Sequence, residues 1–312
     1  MVDLQAHRGG RGLAPENTLA AFDKALSLGV TTLELDIGVS ADGMVVIHHD
    51  PTLNADFTRD ASGAWLPAKP APSPAVHALT LAQLQRYDVG RLNPATSYGQ
   101  QFATQVPRDG ERIPTLASLF ALVEARGDAR VRFNIETKIS PLQPGETAAP
   151  EAMVRALLTE IDKARMGARV TVQSFDWRTL ALVGQLAPQL PRAYLTSART
   201  LQDSRWTAGL QAASFASVPL LVKAAAGSGS GPLTWSPAYA TLTPALVKEA
   251  QALGMQVVPW TVNKPADMAT ALGWGVNGVI TDYPNLLREV IRGRGLPLPV
   301  PSGPSAPAAR TP

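Results

Sequence analysis

Two hydrophobic patterns alternate along most of the chain. Short segments in which apolar and polar residues alternate are typical of strands, and segments with an apolar residue every three or four positions are typical of helices. The first pair is the strand-like run from Val2 to Ala6 and a helix whose apolar face includes Leu19, Phe22 and Leu26. Repetition of this succession favours an α/β domain with a parallel sheet. The pattern predicts eight strands that could run parallel, near residues 3, 32, 132, 171, 193, 237, 257 and 279.

Several predicted helices have a clear first residue. Thr115, Asp176 and Thr243 are good N-caps, and the last predicted helix runs from Pro284 to Arg292. A further helix is expected somewhere between residues 200 and 213. The Ala/Gly/Ser-rich run at 224–231 predicts a flexible loop instead.

One strand is predicted to run antiparallel to its neighbour. The segment Ser40-Ala41-Asp42-Gly43 is a hairpin signal, and it is too short to contain a helical crossover. A two-residue turn would put Asp36 opposite His49, and a four-residue loop would put Glu34 opposite His49. In both registers His49 shares a strand face with the two carboxylates, and His48 faces away and packs.

Residues 51–113 interrupt the alternation, because prolines crowd between 67 and 74 and only 79–87 has a helical pattern. We interpret them as an insertion that packs over one mouth of the domain, where it either shapes a pocket or only covers it. The predicted organisation is one domain over 1–293, followed by a disordered Pro/Ala/Ser-rich tail over 294–312.

The eight strands predict a (β/α)₈ TIM barrel with an extra hairpin strand and an insertion after it. Such barrels are typically about 250 residues long, which fits residues 1–293 once the insertion is set aside. A doubly wound open sheet is the competing fold. No Gly-x-Gly-x-x-Gly follows a predicted strand, so we favour the barrel.

Composition narrows the functional classes. A net charge of +3 with no dense Lys/Arg tract gives no support for nucleic-acid binding. The absence of cysteine excludes disulfides and thiolate zinc sites. We expect no integral membrane segment, and a first strand close to Met1 leaves no room for a signal peptide. The protein is therefore expected to be cytoplasmic, or exported if a leader is missing from this sequence. Nothing indicates the oligomeric state.

Charged residues gather where predicted strands end. In (β/α)₈ barrels the functional residues lie at these C-terminal ends, so one barrel mouth should collect seven side chains. They are His7, Arg8, Glu34, Asp36, His49, Glu136 and Lys138.

These residue types suit phosphoryl chemistry. Three carboxylates without a thiolate favour one Mg²⁺ or Ca²⁺ ion over zinc. Arg8 and Lys138 would hold an anionic ligand, and His7 and His49 could act as general acid and base across a P–O bond. Glycines 9, 10 and 12 would let a ligand approach the backbone closely. The alternatives are a basic β-turn-α connection at His7-Arg8-Gly9 and an ion-pair network without a ligand among the carboxylates.

The chain resembles the glycerophosphodiester phosphodiesterase family. The resemblance runs in order from residue 7 to 284. It rests on His7-Arg8-Gly9, Pro15-Glu16-Asn17-Thr18, Glu34-Leu35-Asp36, His49-Asp50-Pro51-Thr52-Leu53, Asn134-Ile135-Glu136-Thr137-Lys138, Gln173-Ser174-Phe175, Trp260-Thr261-Val262-Asn263 and Gly278-Val279-Ile280-Thr281-Asp282-Tyr283-Pro284.

The resemblance implies a (β/α)₈ barrel that hydrolyses glycerophosphodiesters to sn-glycerol 3-phosphate and an alcohol with a divalent cation. It implies that His7 and His49 are the acid–base pair. It also implies that Glu34, Asp36 and Glu136 bind the metal ion and that Arg8 and Lys138 bind the phosphate. Trp260 would form a pocket wall near the glycerol. Glu16 and Asn17 are expected to fix the loop and the helix start.

Two other functions remain open. One is a lysophospholipase D-type enzyme on the same fold, for which Trp65, Leu66 and Tyr87 of the insertion could form an apolar groove. The other is a non-catalytic barrel that binds phosphoesters. The presence of both histidines and all three carboxylates argues against the second.

Overall fold

Eight parallel strands form a nearly closed barrel in the computed structural model, which describes residues 1–68, 72–227 and 230–303. The strands are β1 (Asp3–Ala6), β2 (Thr32–Val39), β3 (Val45–Ile47), β4 (Arg132–Thr137), β5 (Val170–Ser174), β6 (Arg192–Thr196), β7 (Leu233–Pro237), β8 (Gln256–Val257) and β9 (Gly278–Thr281). Their order is β8-β7-β6-β5-β4-β2-β1-β9, and β3 pairs with β2 outside this path. Hydrogen bonds from Asn277 N to Val257 O (2.9 Å) and from Ile280 N to Pro259 O (3.0 Å) connect the two ends.

Helices cover the outside of the barrel and follow their strands in the order expected of this fold. They are α1 (Leu19–Leu28), α2 (Leu81–Leu84), α3 (Ser97–Gln101), α4 (Leu116–Ala125), α5 (Pro150–Lys163), α6 (Trp177–Leu186), α7 (Val218–Ala226), α8 (Pro244–Ala252), α9 (Pro265–Gly273) and α10 (Pro284–Gly293). The side chains of Thr115, Asp176 and Thr243 cap α4, α6 and α8, as predicted. None of the helices in the described ranges is long and apolar enough to cross a bilayer.

Strand β2 shows how the sequence produces both the core and the site. Its even-numbered residues Glu34 and Asp36 point into the barrel, because side chains alternate along a strand. Its odd-numbered residues Leu33, Leu35 and Ile37 point outward and are fully buried in the main apolar core. The predicted barrel, with all eight parallel strands near their expected positions, is confirmed.

The structure corrects the prediction for residues 200–231. Residues 200–213 contain no α-helix, only 3₁₀ turns at Thr200–Gln202 and Ala212–Ser214. The α-helix is α7, which the Ser217 side chain caps and which extends into the predicted flexible loop. Its buried apolar face explains why an Ala-rich run is helical here. Residues 228 and 229 of that predicted loop lie outside the described residues.

The hairpin between β2 and β3 has neither predicted register. Ile37 pairs with Ile47 and Val39 pairs with Val45. Ser40 N then donates to Met44 O (3.0 Å), so the three residues 41–43 form the loop. Gly43 has a φ of +80°, a left-handed conformation that three-residue hairpin loops commonly place at this position. Strand β3 ends at Ile47, and strand alternation therefore does not decide which of the next two histidines faces the site.

The insertion over 51–113 has its own small apolar cluster, which packs against Val46 of β3. The tail differs from its prediction in part. Residues 294–303 are described and are held against the barrel, because Ser302 N donates to Leu26 O (3.0 Å) and Arg126 donates to Gly303 O (2.6 Å). The remaining predicted disorder, over 304–312, lies outside the described residues.

Candidate active site

The chain turns sharply after β1, where the first two site residues lie. Residues His7–Gly9 form a single 3₁₀ turn, and Arg8 has a left-handed φ of 51°. Gly9 has a φ of 80°, and a Cβ there would stand 2.8 Å from the Cβ of Ala21 in α1. The glycine is thus required for close packing of the turn against α1. This packing role is separate from the expectation that the glycine lets a ligand approach the backbone, which stays a prediction.

Three carboxylates converge beneath this turn. Asp36 of β2 is in register with Glu136 of β4, and Glu34 lies two residues earlier on the inward face of β2. One oxygen from each carboxylate can be chosen so that all three lie within 4.8 Å of one another. All three residues are buried. The Oδ1 atom of Asp36 has no hydrogen-bond partner among the described residues, which is costly for a buried carboxylate oxygen.

Burial and close charges shift the pKa values of all three carboxyl groups of this triad. Burial and the charge of Asp36 raise the pKa of Glu34 well above its ordinary value. Burial raises the pKa of Glu136 to about 7, although Lys138 acts in the opposite direction. Burial also acts to raise the pKa of Asp36, but the nearby side chains of His49, Arg8 and Lys138 lower it overall. A cation bound by these carboxylates would stabilise their charged forms.

Two cations flank the triad. The Arg8 guanidinium donates to Glu16 (2.7 Å) and lies 3.3 Å from Asp36. The Lys138 ammonium lies 2.8 Å from a Glu136 oxygen and 3.9 Å from an Asp36 oxygen. Both cations line the same small cavity as His7 and the triad residues Glu34 and Glu136.

Both predicted histidines reach this cavity, and each is held by a carboxylate through Nδ1. His7 Nδ1 lies 2.6 Å from Asp282, and His49 Nδ1 lies 2.7 Å from Asp50. Each ring therefore has its Nε2 directed toward the site. His7 Nε2 is 4.0 Å from Glu34, and His49 Nε2 is 3.1 Å from the Lys138 ammonium.

The same surroundings shift both histidines toward the neutral form. Burial lowers the pKa of His7, and the opposing charge of Asp282 does not fully compensate. Burial, with the charges of Lys138 and Arg8, lowers the pKa of His49 to about 4. A neutral imidazole has a free lone pair, which is the form needed to accept a proton.

His48 lies elsewhere. Its Nε2 is 3.2 Å from the carbonyl oxygen of Thr52, and its ring packs 5.9 Å from that of Phe57 in the insertion. The choice of His49 over His48 agrees with this placement, although the register used to argue it was wrong.

Sequence reasoning assigned no role to several residues that organise the site. Asp282 is fully buried after β9 and accepts hydrogen bonds from Arg11 (2.7 Å) and Asn263 (2.7 Å) besides contacting His7. Gln173 of β5 donates to Glu34 (2.7 Å). Gln173 lies on the inward face of β5, and Asp282 follows the C-terminal end of β9. These placements were the signal that the sequence offered for both residues.

Two adjoining cavities open at the barrel mouth. The smaller, about 120 Å³, contains the histidines and cations and is closed on one side by Trp260 and Phe175. The larger, about 820 Å³, shares those two aromatic residues and extends past Trp206 and Arg199. The Trp260 indole donates to Ser236 O (3.0 Å) and meets the Phe175 ring edge to face. None of the insertion residues Trp65, Leu66 and Tyr87 is among the lining residues of either cavity.

The fold and the site together define a class: a (β/α)₈-barrel enzyme whose carboxylates, histidines and cations meet at the C-terminal ends of its strands. Residues 7–286 match the glycerophosphoryl diester phosphodiesterase family. The chain belongs to this family, and it is a phosphodiesterase.

Individual relatives support the assignment. A glycerophosphodiester phosphodiesterase of Caldanaerobacter subterraneus subsp. tengcongensis is 31% identical over 291 residues, which cover 93% of this chain and 98% of that protein. A crystal structure from Silicibacter pomeroyi DSS-3 is 35% identical with a TM-score of 0.85, and the match covers 96% of this chain and 95% of that one. The structure of an Oleispira antarctica phosphodiesterase in complex with the product sn-glycerol-3-phosphate is 23% identical, with a TM-score of 0.64. The match covers 92% of this chain and 96% of that one, and it shows that the two proteins share the fold.

Proposed function

We propose that the protein hydrolyses glycerophosphodiesters to sn-glycerol 3-phosphate and an alcohol, with one bound Mg²⁺ or Ca²⁺ ion and two histidines as acid and base. One observation carries the proposal. Two members of a buried carboxylate triad, Glu34 and Glu136, line the same small cavity as two cations and two oriented histidines, and the third member, Asp36, lies beside them. The substrate assignment also draws on the glycerophosphodiester phosphodiesterase activity named for the Caldanaerobacter relative.

The triad fits a hard divalent cation. Its donors are all carboxylate oxygens, and Mg²⁺ and Ca²⁺ prefer oxygen ligands at about 2.0–2.6 Å, so two ligands of one ion can be about 4–5 Å apart. The 4.8 Å limit on the distances between Glu34, Asp36 and Glu136 oxygens agrees with that span. The Oδ1 atom of Asp36, which has no hydrogen-bond partner among the described residues, is a suitable ligand for such an ion. When bound, the ion would stabilise negative charge that develops on the phosphoryl oxygens.

The remaining groups bind the phosphodiester or transfer protons to and from it. Arg8 and Lys138 bind its anionic oxygens through charge-assisted hydrogen bonds. One histidine, unprotonated at Nε2, takes a proton from the attacking hydroxyl group of water or of the substrate. The other must carry a proton on Nε2, which it donates to the oxygen of the departing alcohol as the P–O bond breaks. Asp50 and Asp282 keep the two rings in the tautomer and orientation that present Nε2 to the cavity.

Replacing the histidines tests this division of work. We expect His7→Ala and His49→Gln each to lower kcat by about 10²–10⁴-fold, because each removes one positioned acid or base. The matched control is His48→Gln, one residue away but outside the cavity, which should retain activity at temperatures where it is folded. The readout is release of glycerol 3-phosphate from glycerophosphocholine. Full activity in either site variant would exclude the mechanism, and an inactive wild type would favour the phosphoester-binding barrel.

The larger cavity favours a second candidate, a lysophospholipase D-type activity. Its volume of about 820 Å³ and its apolar side chains, Ile139, Leu142, Phe175, Trp206 and Trp260, leave room for more than a small alcohol. We expect glycerophosphocholine to be cleaved with the higher kcat/KM, because the insertion residues considered for a lipid groove line neither cavity. A higher kcat/KM for lysophosphatidylcholine would contradict the assignment to small diesters.

A further inference from the structure

A tyrosine of the insertion joins the hydrogen-bond network behind the site. Tyr98, in α3, is half-buried, and its hydroxyl donates to one oxygen of Glu16. The other Glu16 oxygen accepts from Arg8, at 2.7 Å. Two hydrogen bonds through Glu16 therefore connect the tyrosine to the Arg8 guanidinium, which is proposed to bind phosphate.

The same hydroxyl connects to the first histidine by a second route. Arg11 donates to the Tyr98 hydroxyl (3.0 Å) and to Asp282 (2.7 Å), and that Asp282 oxygen also contacts His7. The Arg11 guanidinium lies over the ring of Phe102, with its carbon 4.9 Å from the centroid. Tyr98 thus joins the partners of Arg8 and His7 at a single atom.

One side-chain and one backbone hydrogen bond hold the insertion against the loop that contains these residues. Gln105 donates to Arg11 O (2.6 Å), and Val106 N donates to Leu13 O (3.1 Å). Glu16 and Arg8 are both buried, and buried ions depend on well-placed partners because water cannot solvate them. A change in the position of Glu16 would therefore be transmitted to Arg8.

We propose that Tyr98 is a positioning residue for the phosphodiesterase reaction: it holds Glu16 and Arg11 so that Arg8 and His7 keep their working geometry. The insertion is then part of the active-site support and more than a cover. The inference rests on the proposed function, because it assigns Arg8 and His7 the roles given above.

Tyr98→Phe tests the role by removing one oxygen atom and keeping the ring. We expect kcat/KM on glycerophosphocholine to fall about tenfold to hundredfold, since small displacements of binding and catalytic groups are amplified in rate. Tyr87→Phe is the matched control, because Tyr87 packs against the same insertion cluster and lines neither cavity. It should leave kcat/KM unchanged.

A double-mutant cycle separates positioning from general stabilisation. Because Tyr98 acts partly through Glu16, the loss in the double variant Tyr98→Phe/Glu16→Gln should be clearly smaller than the product of the two single losses. The melting temperatures of Tyr98→Phe and Tyr87→Phe should be similar. Wild-type kcat/KM in Tyr98→Phe, or losses that add fully in the double variant, would overturn the role of Tyr98 while leaving the proposed function intact. A wild type without phosphodiesterase activity would instead reject the proposed function itself.

Discussion

Each buried ion at the site has a partner that also orients it. Asp282 illustrates this, because it is fully buried and contacts His7, Arg11 and Asn263. Burial acts to raise the pKa of Asp282, but the nearby His7 and Arg11 lower it below its ordinary value overall. The carboxylate form is thus favoured in the folded protein, where it fixes the His7 ring.

Asp282→Asn should affect both rate and stability. We expect kcat to fall at least tenfold, because the histidine loses the carboxylate that sets its tautomer. The folded-state pKa of Asp282 is lowered, so its carboxylate stabilises the fold above the unfolded-state pKa of about 4 and this contribution is lost as the pH falls further. The free energy of unfolding of the wild type should therefore exceed that of the variant at neutral pH, and the difference should shrink below about pH 4. Urea unfolding across this pH range measures it, and a difference independent of pH would refute the charge-based explanation.

At the scale of elements, the periodic segments were predictable and the irregular ones were not. Alternation along β2 and β4 correctly placed Glu34, Asp36 and Glu136 on inward faces, because a strand leaves only two choices of face. Loop lengths in hairpins differ by single residues, and the sequence Ser40-Ala41-Asp42-Gly43 did not distinguish a three-residue loop from the two considered. The missed α7 shows a related limit, since its apolar face is evident only against the neighbouring helices.

Partners far apart in sequence were the other limit. His7 and Asp282 are separated by 275 positions, and they meet because β1 and β9 are neighbours in the barrel. The contacts of Tyr98 with Glu16 and Arg11 depend on how a nearly aperiodic insertion folds back over the first loop. Local periodicity predicts neither set of contacts, although the residues lie in the sequence motifs or in the insertion described above.

The whole barrel explains why one chain can assemble this chemistry. Parallel strands bring their C-terminal ends to the same mouth, so residues between 7 and 280 become neighbours around a cavity of about 120 Å³. The insertion contacts that mouth from the side of the first loop. The described part of the C-terminal tail is held on the barrel by Arg126, Arg288 and the backbone of Leu26.

The central claim is that a cation held by Glu34, Asp36 and Glu136 is needed for phosphodiester hydrolysis, and metal removal tests it most directly. Protein dialysed against a chelator, with its residual metal content measured, should release no glycerol 3-phosphate from glycerophosphocholine. Addition of Mg²⁺ or Ca²⁺ should restore activity to the wild type and leave Asp36→Asn largely inactive, because that variant lacks one charged ligand. Undiminished hydrolysis by wild-type protein with far less than one metal ion per chain would contradict the account.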